Sequence, residues 1–112
     1  MSVELTTHAV ERSTYILDAQ FSNASGTTFV PTTVSWTLSD RAGTDQNGRT
    51  DVSATAATTV TIVLSGSDLT LIAGDDGMRI IYFEVVYNSA TYGNNLKLKE
   101  EANFIIDSLV NI

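Results

Sequence analysis

The chain has 112 residues, with 13 acidic and 6 basic side chains, one His, one Pro and no Cys. This length is typical of a single domain with one core, and the lack of Cys excludes disulfide frameworks, thiolate zinc sites, iron–sulfur clusters and Cys nucleophiles. The formal net charge of −7 argues against a nucleic-acid partner, because phosphate binding needs clustered basic residues and the four Arg are scattered.

Residues 1–8 have neither a basic start nor a long apolar stretch, and so they do not match a secretory signal. Apolar runs such as residues 85–87 are far too short to cross a bilayer. We therefore expect a protein that is made in a cytoplasm and has no membrane partner.

The composition is typical of β-structure, since Thr and Ser make up 27 residues and Val and Ile another 18. β-Branched side chains are restricted at χ1 and suit the pleated sheet. Clusters of Asn, Gly, Ser and Asp punctuate the chain and predict loops. They lie at residues 23–26, 47–48, 65–66, 74–77 and 93–95.

The segments between these loops alternate apolar and polar residues, which predicts half-buried strands. A first strand is expected around Val3, Leu5 and Val10, with an interruption near His8. The residues predicted to face the core in the later strands are Tyr15, Leu17, Ala19 and Phe21, then Val34, Trp36 and Leu38, then Val60, Ile62 and Leu64, then Ile81, Phe83, Val85 and Tyr87, and finally Leu96, Leu98, Ala102, Phe104 and Ile106. Ser67 and Asp68 are expected to cap a single helical turn.

About seven strands in this length predict an all-β fold, namely a single immunoglobulin-like or fibronectin-type β-sandwich of about seven antiparallel strands over residues 1–112. A barrel is the main alternative. Trp36 favours the sandwich, because many such domains place their central aromatic residue in the third strand. With no disulfide, Phe21, Phe83 and Phe104 are expected to fill the core around it.

The last strand contains one conflict. Glu100 shares the parity of Leu98 and Ala102 and would face the core, where an unpaired carboxylate is costly. We therefore expect a bulge or bend at residues 99–101.

Residues with catalytic or metal-binding potential are few. His8 could pair with Ser2, Ser13 or an Asp, but no nucleophile motif accompanies it. The acidic loops lack the further carboxylates of a calcium site or contain Arg between the acids, so turns and solvated loops explain them better. These acids are Asp75 and Asp76 in one loop and Asp40, Asp45 and Asp51 in the other. We predict no catalytic residue, no metal site and no cofactor.

A protein-binding surface is the stronger hypothesis. If Ile81, Phe83 and Val85 face inward, the same strand points Ile80, Tyr82 and Val86 outward with only Glu84 among them. The last strand adds Ile105 to this face, and a cluster of outward apolar side chains often marks a protein contact. Residues 107–112 form a possible docking tail that carries Leu109, Val110 and Ile112.

Three segments carry a family resemblance: residues 34–40 (VSWTLSD), 63–69 (VLSGSDL) and 96–104 (LKLKEEANF). With them the chain, from about residue 13 to 110, resembles the small immunoglobulin-like proteins encoded among the structural genes of tailed bacteriophages and prophages. The resemblance implies a non-enzymatic virion component made in the host cytoplasm. It would be a capsid decoration protein or a neck or tail accessory, bound to a phage structural protein such as the major capsid, neck or tail protein. The oligomeric state stays open, with a homo-oligomer among the alternatives.

Two other classes stay open. A carbohydrate-binding module of the same fold would need exposed aromatic rings in a row, and Tyr82 and Tyr92 are the best candidates, with Tyr15 a third. A small esterase or metal-dependent hydrolase would need His8 beside a Ser or a carboxylate in a pocket.

Overall fold

The computed structural model describes residues 2–4, 7–22, 26–71 and 76–109, with the backbone alone for residues 2–4. The described chain is mostly β-strand with one short 3₁₀ turn, Gly66–Leu69. The strands are β1 (Ser2–Glu4), β2 (Ala9–Val10), β3 (Thr14–Ala19), β4 (Thr33–Asp40), β5 (Val52–Ala54), β6 (Val60–Ser65), β7 (Met78–Ser89) and β8 (Gly93–Asp107). The all-β prediction is therefore confirmed.

The strands form two sheets of unequal size. The large sheet has six strands in the order β1-β8-β7-β4-β5, with β2 also paired to β8, and the small sheet contains β3 and β6. The first segment is split on either side of His8, as predicted. Both halves run parallel to β8, however, so the expectation that all strands are antiparallel is wrong at this edge.

The two sheets share one core, and its members follow the predicted alternation. Tyr15, Phe21 and Ile62 of the small-sheet side pack with Trp36 and Phe83 of the large sheet. Aromatic pairs join the two sides: Tyr15 stacks on Phe104 with ring centroids 4.8 Å apart, and Phe21 meets Phe83 edge-on at 5.5 Å. The predicted filling of the core by three Phe residues around a buried Trp36 is confirmed.

The hairpin of β7 and β8 is longer than the sheet that supports it. Strand β4 pairs with β7 only as far as Val86, whereas β7 and β8 stay paired to Ser89 and Gly93. Residues 87–96 thus form a two-stranded arm on a molecule whose principal extents are 53 × 22 × 22 Å. At its base Tyr87 stacks on Phe29 with ring centroids 4.5 Å apart.

The predicted bulge at residues 99–101 does not form. The pairing of β8 with β7 is continuous from Leu96 to Ile105, and the one register shift lies between Tyr87 and Ser89. Glu100 lies opposite Phe83 and is half-buried. In the described residues β1 pairs with β8 from Glu101 onward, so Glu100 lies beyond the edge of that pairing, and its half-buried side chain is accommodated with no bend in the strand.

A buried carboxylate connects the 3₁₀ turn to the loop between β4 and β5. The Asp68 side chain is only 1% exposed, and its oxygens accept hydrogen bonds from Arg49 Nε at 2.8 Å, Asn47 Nδ2 at 2.7 Å and the Ser65 amide at 3.1 Å. The turn was predicted to be capped by Ser67 and Asp68, but its N-cap is Ser65, and Asp68 acts from within the turn by accepting the Ser65 amide. Local patterns in the chain could not predict the partners Asn47 and Arg49, since these lie 21 and 19 residues away.

The pKa of Asp68 lies below its usual value. Burial by itself raises this pKa, but the hydrogen bonds from Arg49, Asn47 and the Ser65 amide, with the charge of Arg49, outweigh burial. The ionised carboxylate thus stabilises the fold above the pKa of an unfolded Asp, about 3.9. That contribution is lost as the pH falls through the lower pKa of the folded state.

We predict that Asp68→Asn lowers the free energy of unfolding at pH 7 by about 2 kcal/mol, below the usual range for breaking a buried pair because Arg49 is partly solvated. The difference from the unsubstituted protein should start to shrink below about pH 4, where Asp68 of the unfolded chain binds a proton, and should disappear below the lower pKa of the folded state. Urea unfolding at both pH values measures this.

The matched control is Asp76→Asn, since Asp76 pairs with Arg41 at 3.1 Å with both side chains at least half exposed. This change should lower the free energy of unfolding by less than about 0.5 kcal/mol. Equal losses for the two variants would contradict the role given to Asp68.

A glycine fixes the entry into β7. Gly77 has φ +81° and its carbonyl accepts the Ile106 amide at 2.8 Å. A Cβ atom at this position would lie 2.6 Å from the Ile106 carbonyl oxygen, closer than carbon and oxygen can approach. The residue therefore needs both the left-handed conformation and the missing side chain.

We predict that Gly77→Ala lowers the free energy of unfolding by about 2 to 4 kcal/mol, because backbone must move as well as adopt a strained φ. Gly43→Ala is the control: Gly43 has φ +88° with nothing within 4 Å of the added Cβ, so only the conformational penalty of about 1 kcal/mol applies. Thermal unfolding compares them, and similar losses would show that the contact with Ile106 is unimportant.

Candidate interaction surfaces

The predicted docking face lies on the side of the large sheet that points away from the core. Tyr82 is opposite Thr37 of β4 and Glu101 of β8. Ile80 is two residues away on the same face, so the two side chains are neighbours along β7. We call the outward surface around Ile80, Tyr82, Val86 and Ile105 the outer face.

The structure groups three of these four residues. Ile80 is opposite Asn103 and Ile105 is opposite Met78, so Ile105 lies diagonally across from Ile80. Val86 is four residues beyond Tyr82, about 13 Å along the strand. All four are half-buried. The apolar surface that they offer is therefore smaller than their number suggests.

The rest of the outer face is polar. Strand β4 contributes small hydroxyl side chains from Ser35, Thr37 and Ser39, all partly exposed. At the arm end, Glu84 is opposite Lys99. The face thus combines an apolar centre with a polar and charged border, which is the usual anatomy of a protein contact.

The predicted docking tail is described only in part. Leu109 is 44% exposed, and its amide donates a hydrogen bond to Glu11 Oε1 at 3.2 Å. Glu11 is buried, and its own amide donates to the Asp107 carbonyl at 2.9 Å. The tail therefore starts from a fixed point beside β2. Val110 and Ile112 lie outside the described residues.

The two tyrosines of the carbohydrate hypothesis lie on different parts of the molecule. Tyr92 is 78% exposed in the turn at the tip of the arm, whereas Tyr82 is half-buried in the middle of β7. Seven residues of strand separate Tyr82 from Ser89 at the arm's end, roughly 23 Å. Tyr15, the third candidate, is buried in the core. These rings do not form one platform.

His8 has a carboxylate partner on the surface. Its Nδ1 lies 3.0 Å from Asp107 Oδ1, and both side chains are about half exposed. Among the described residues no group of three His, Cys, Asp or Glu side chains is placed to hold a metal ion.

Local hydrogen bonds occupy the acidic loop after β4. Asp40 Oδ1 accepts the Ala42 and Thr44 amides at 2.9 Å each, and Asp45 accepts the Thr50 hydroxyl. These contacts are those of a structured loop, in which Asp side chains replace water as acceptors for backbone amides.

An open groove that sequence reasoning missed lies between the free edges of the two sheets. Its volume is about 470 Å³. The lining has no charged side chain, and it consists of Trp36, Val52, Ser53, Ala54, Thr55, Ala57, Thr59, Thr61, Ile62 and Val63. The groove exists because β5 has only three residues and because no described strand pairs with β6 on this side.

The most exposed large apolar residues of the described strands are one that lines the groove and its cross-strand partner. Ile16 of β3 and Val63 of β6 are direct cross-strand partners on the outside of the small sheet, 63% and 55% exposed. Both occupy positions at which the alternation predicts polar side chains. The sequence signal for this exposed surface was therefore an apolar residue at a position where the alternation predicts a polar one.

No helix in the part of the chain that the structure describes is long and apolar enough to span a membrane. Comparison with protein-family models, curated proteins and solved structures found no match to this chain.

Proposed function

We propose that the two sheets form an immunoglobulin-like β-sandwich. In that fold, strands B and E belong to one sheet, strands C, F and G to the other, and an additional C′ strand extends the latter. The pairing of β3 with β6, and of β8, β7, β4 and β5 in this order, corresponds to that division. The first segment departs from the constant-type arrangement, because it pairs with β8 and not with β3.

We propose that the protein is a non-enzymatic structural protein of a tailed-phage virion, in the first place a capsid decoration protein that binds the assembled particle through protein contacts. The resemblance of residues 34–40, 63–69 and 96–104 to small phage proteins supports this class. The observation that carries the docking site is the outer face, where Ile80, Tyr82 and Ile105 cluster within a polar border.

The modest apolar area of the outer face is compatible with such a role. A decoration protein occupies many equivalent sites on a lattice, and linked contacts allow each one to be weak. A buried aromatic anchor with surrounding polar contacts is the usual energetic centre of a protein interface. Tyr82, between Thr37 and Glu101, is the residue best placed for that part.

A neck or tail accessory protein is the second candidate, and the arm is the feature that favours it. The arm projects beyond the sheet, and Lys97 and Lys99 are the only lysines in the chain. No acidic residue occurs between Glu84 and Glu100. The arm itself carries no charge, and the two lysines lie at its base on β8. A projecting hairpin with basic residues at its base can reach a groove with an acidic rim on a neighbouring protein.

We predict that the double variant Tyr82→Glu with Ile105→Lys folds but attaches to particles at least about tenfold more weakly, because charges replace the apolar centre of the outer face. Assembled particles of the phage that encodes the protein are incubated with it and sedimented, and the bound protein is quantified. Circular dichroism checks the fold.

The matched control is Tyr92→Glu with Val30→Lys, the same charge changes at residues that are 78% and 60% exposed elsewhere. It should bind as the unsubstituted protein does. Loss of binding in this control alone would transfer the contact to the surface around Tyr92 or Val30, and unchanged binding of both variants would refute attachment through the outer face.

A further inference from the structure

The second edge of β6 is available for strand pairing. Strand β6 pairs with β3 over all six of its residues, from Val60 opposite Ala19 to Ser65 opposite Thr14. On its other side no strand pairs with it in the described chain, and the open groove runs along Thr61, Ile62 and Val63. Backbone N–H and C=O groups along such an edge are a template for another strand.

The sequence of this strand lacks the features that usually prevent edge pairing. Proteins protect free edges with Lys, Pro, bulges or inward-pointing charges. Residues 60–65 (VTIVLS) contain no charged residue and no Pro, and their pairing with β3 has no register shift. Three of the six are β-branched apolar residues, which favour strand formation.

The charge distribution at this edge permits a second copy of this chain as the partner. Two copies with a formal charge of −7 each repel, so they can associate only where acidic residues do not face each other. No residue of β6 or of the groove lining is charged. The nearest acid on the small sheet is Asp18 of β3, whose carboxylate accepts the Thr61 hydroxyl at 2.7 Å.

We propose that β6 of one copy pairs antiparallel with β6 of a second copy about a two-fold axis. The result would be a continuous four-stranded sheet in the order β3-β6-β6-β3. The two β3 strands would then be three strand spacings apart, about 14 Å. This exceeds the Debye length of about 8 Å at physiological salt, so the two Asp18 charges repel only weakly.

Self-pairing also matches the side chains. With the axis perpendicular to the sheet, inward residues meet inward residues and outward ones meet outward ones, so Thr61 and Val63 of the two copies become neighbours. In the register that places Val63 of one copy opposite Val63 of the other, the exposed Ile16 and Val63 of both copies form one apolar stripe. These side chains are 63% and 55% exposed in the single copy. The outer face of the large sheet lies on the opposite side and stays free.

The first test is the oligomeric state of the full chain by light scattering across a dilution series. We expect a dimer, and expect Val63→Lys to weaken self-association at least about tenfold by placing a charge at the edge. The matched control, Val30→Lys, introduces the same charge at a Val that is 60% exposed and distant in sequence from β6. It should leave the dimer unchanged.

The second test locates the contact. Because the chain has no Cys, single-Cys variants report single positions. Directly opposite residues have Cβ atoms about 5 Å apart, so Thr61→Cys or Val63→Cys alone, or the two mixed, should cross-link under oxidation. Val30→Cys should not.

A monomer at every concentration would overturn the proposal. So would a dimer that Val63→Lys does not weaken, or one in which Val30→Cys alone cross-links. If the chain is monomeric but a strand from another protein protects β6, the edge is a docking site for that protein and the second copy is the wrong occupant. Circular dichroism of each variant distinguishes loss of association from loss of folding.

Discussion

Most of this structure depends on one packing constraint: a sheet of two strands covers the inner side of a sheet of six. Burial of alternate apolar side chains is the main favourable term in folding, and β3 and β6 provide it through residues such as Leu17 and Leu64. They cover only the centre of the large sheet. On one side the groove stays open beside β5, and at the far end the arm has no layer to pack against.

Polar contacts and backbone geometry stabilise the end opposite the arm. Asp68 joins the 3₁₀ turn to the loop after β4, and Gly77 allows β7 to begin against the Ile106 backbone. Arg79 is buried nearby, and its guanidinium donates to the Thr70 carbonyl at 3.0 Å. Buried polar groups need such partners.

Local alternation in the sequence predicted which residues of the central strands enter the core, because each strand has one covered face. It could not predict pairing partners: the parallel association of Ala9 and Val10 with the end of β8 joins residues almost 100 positions apart. The alternation pattern also led to a wrong prediction of a bend at Glu100. Whether that position of β8 is enclosed depends on where the neighbouring strand β1 begins.

The interaction surfaces were predictable to different extents. Alternation correctly placed Ile80, Tyr82 and Ile105 on the side away from the core, but their exposure depends on neighbours in β4 and β8. Whether a partner binds there stays a prediction. The groove beside β6 could not be foreseen, because it results from a strand that the small sheet lacks. The sequence signal near it was the apolar side chains of Ile16 and Val63 at positions where the alternation predicts polar residues.

Hydrogen–deuterium exchange along β7 tests most directly whether the two-stranded sheet determines the extent of the stable core. Peptides covering residues 79–86, which pair on both sides and lie over the core, should exchange slowest, near the rate set by global unfolding. Residues 88–96 of the arm should exchange much faster, through local opening. Equal protection along the whole hairpin would show that the arm is supported by something other than β3 and β6, and would contradict this description.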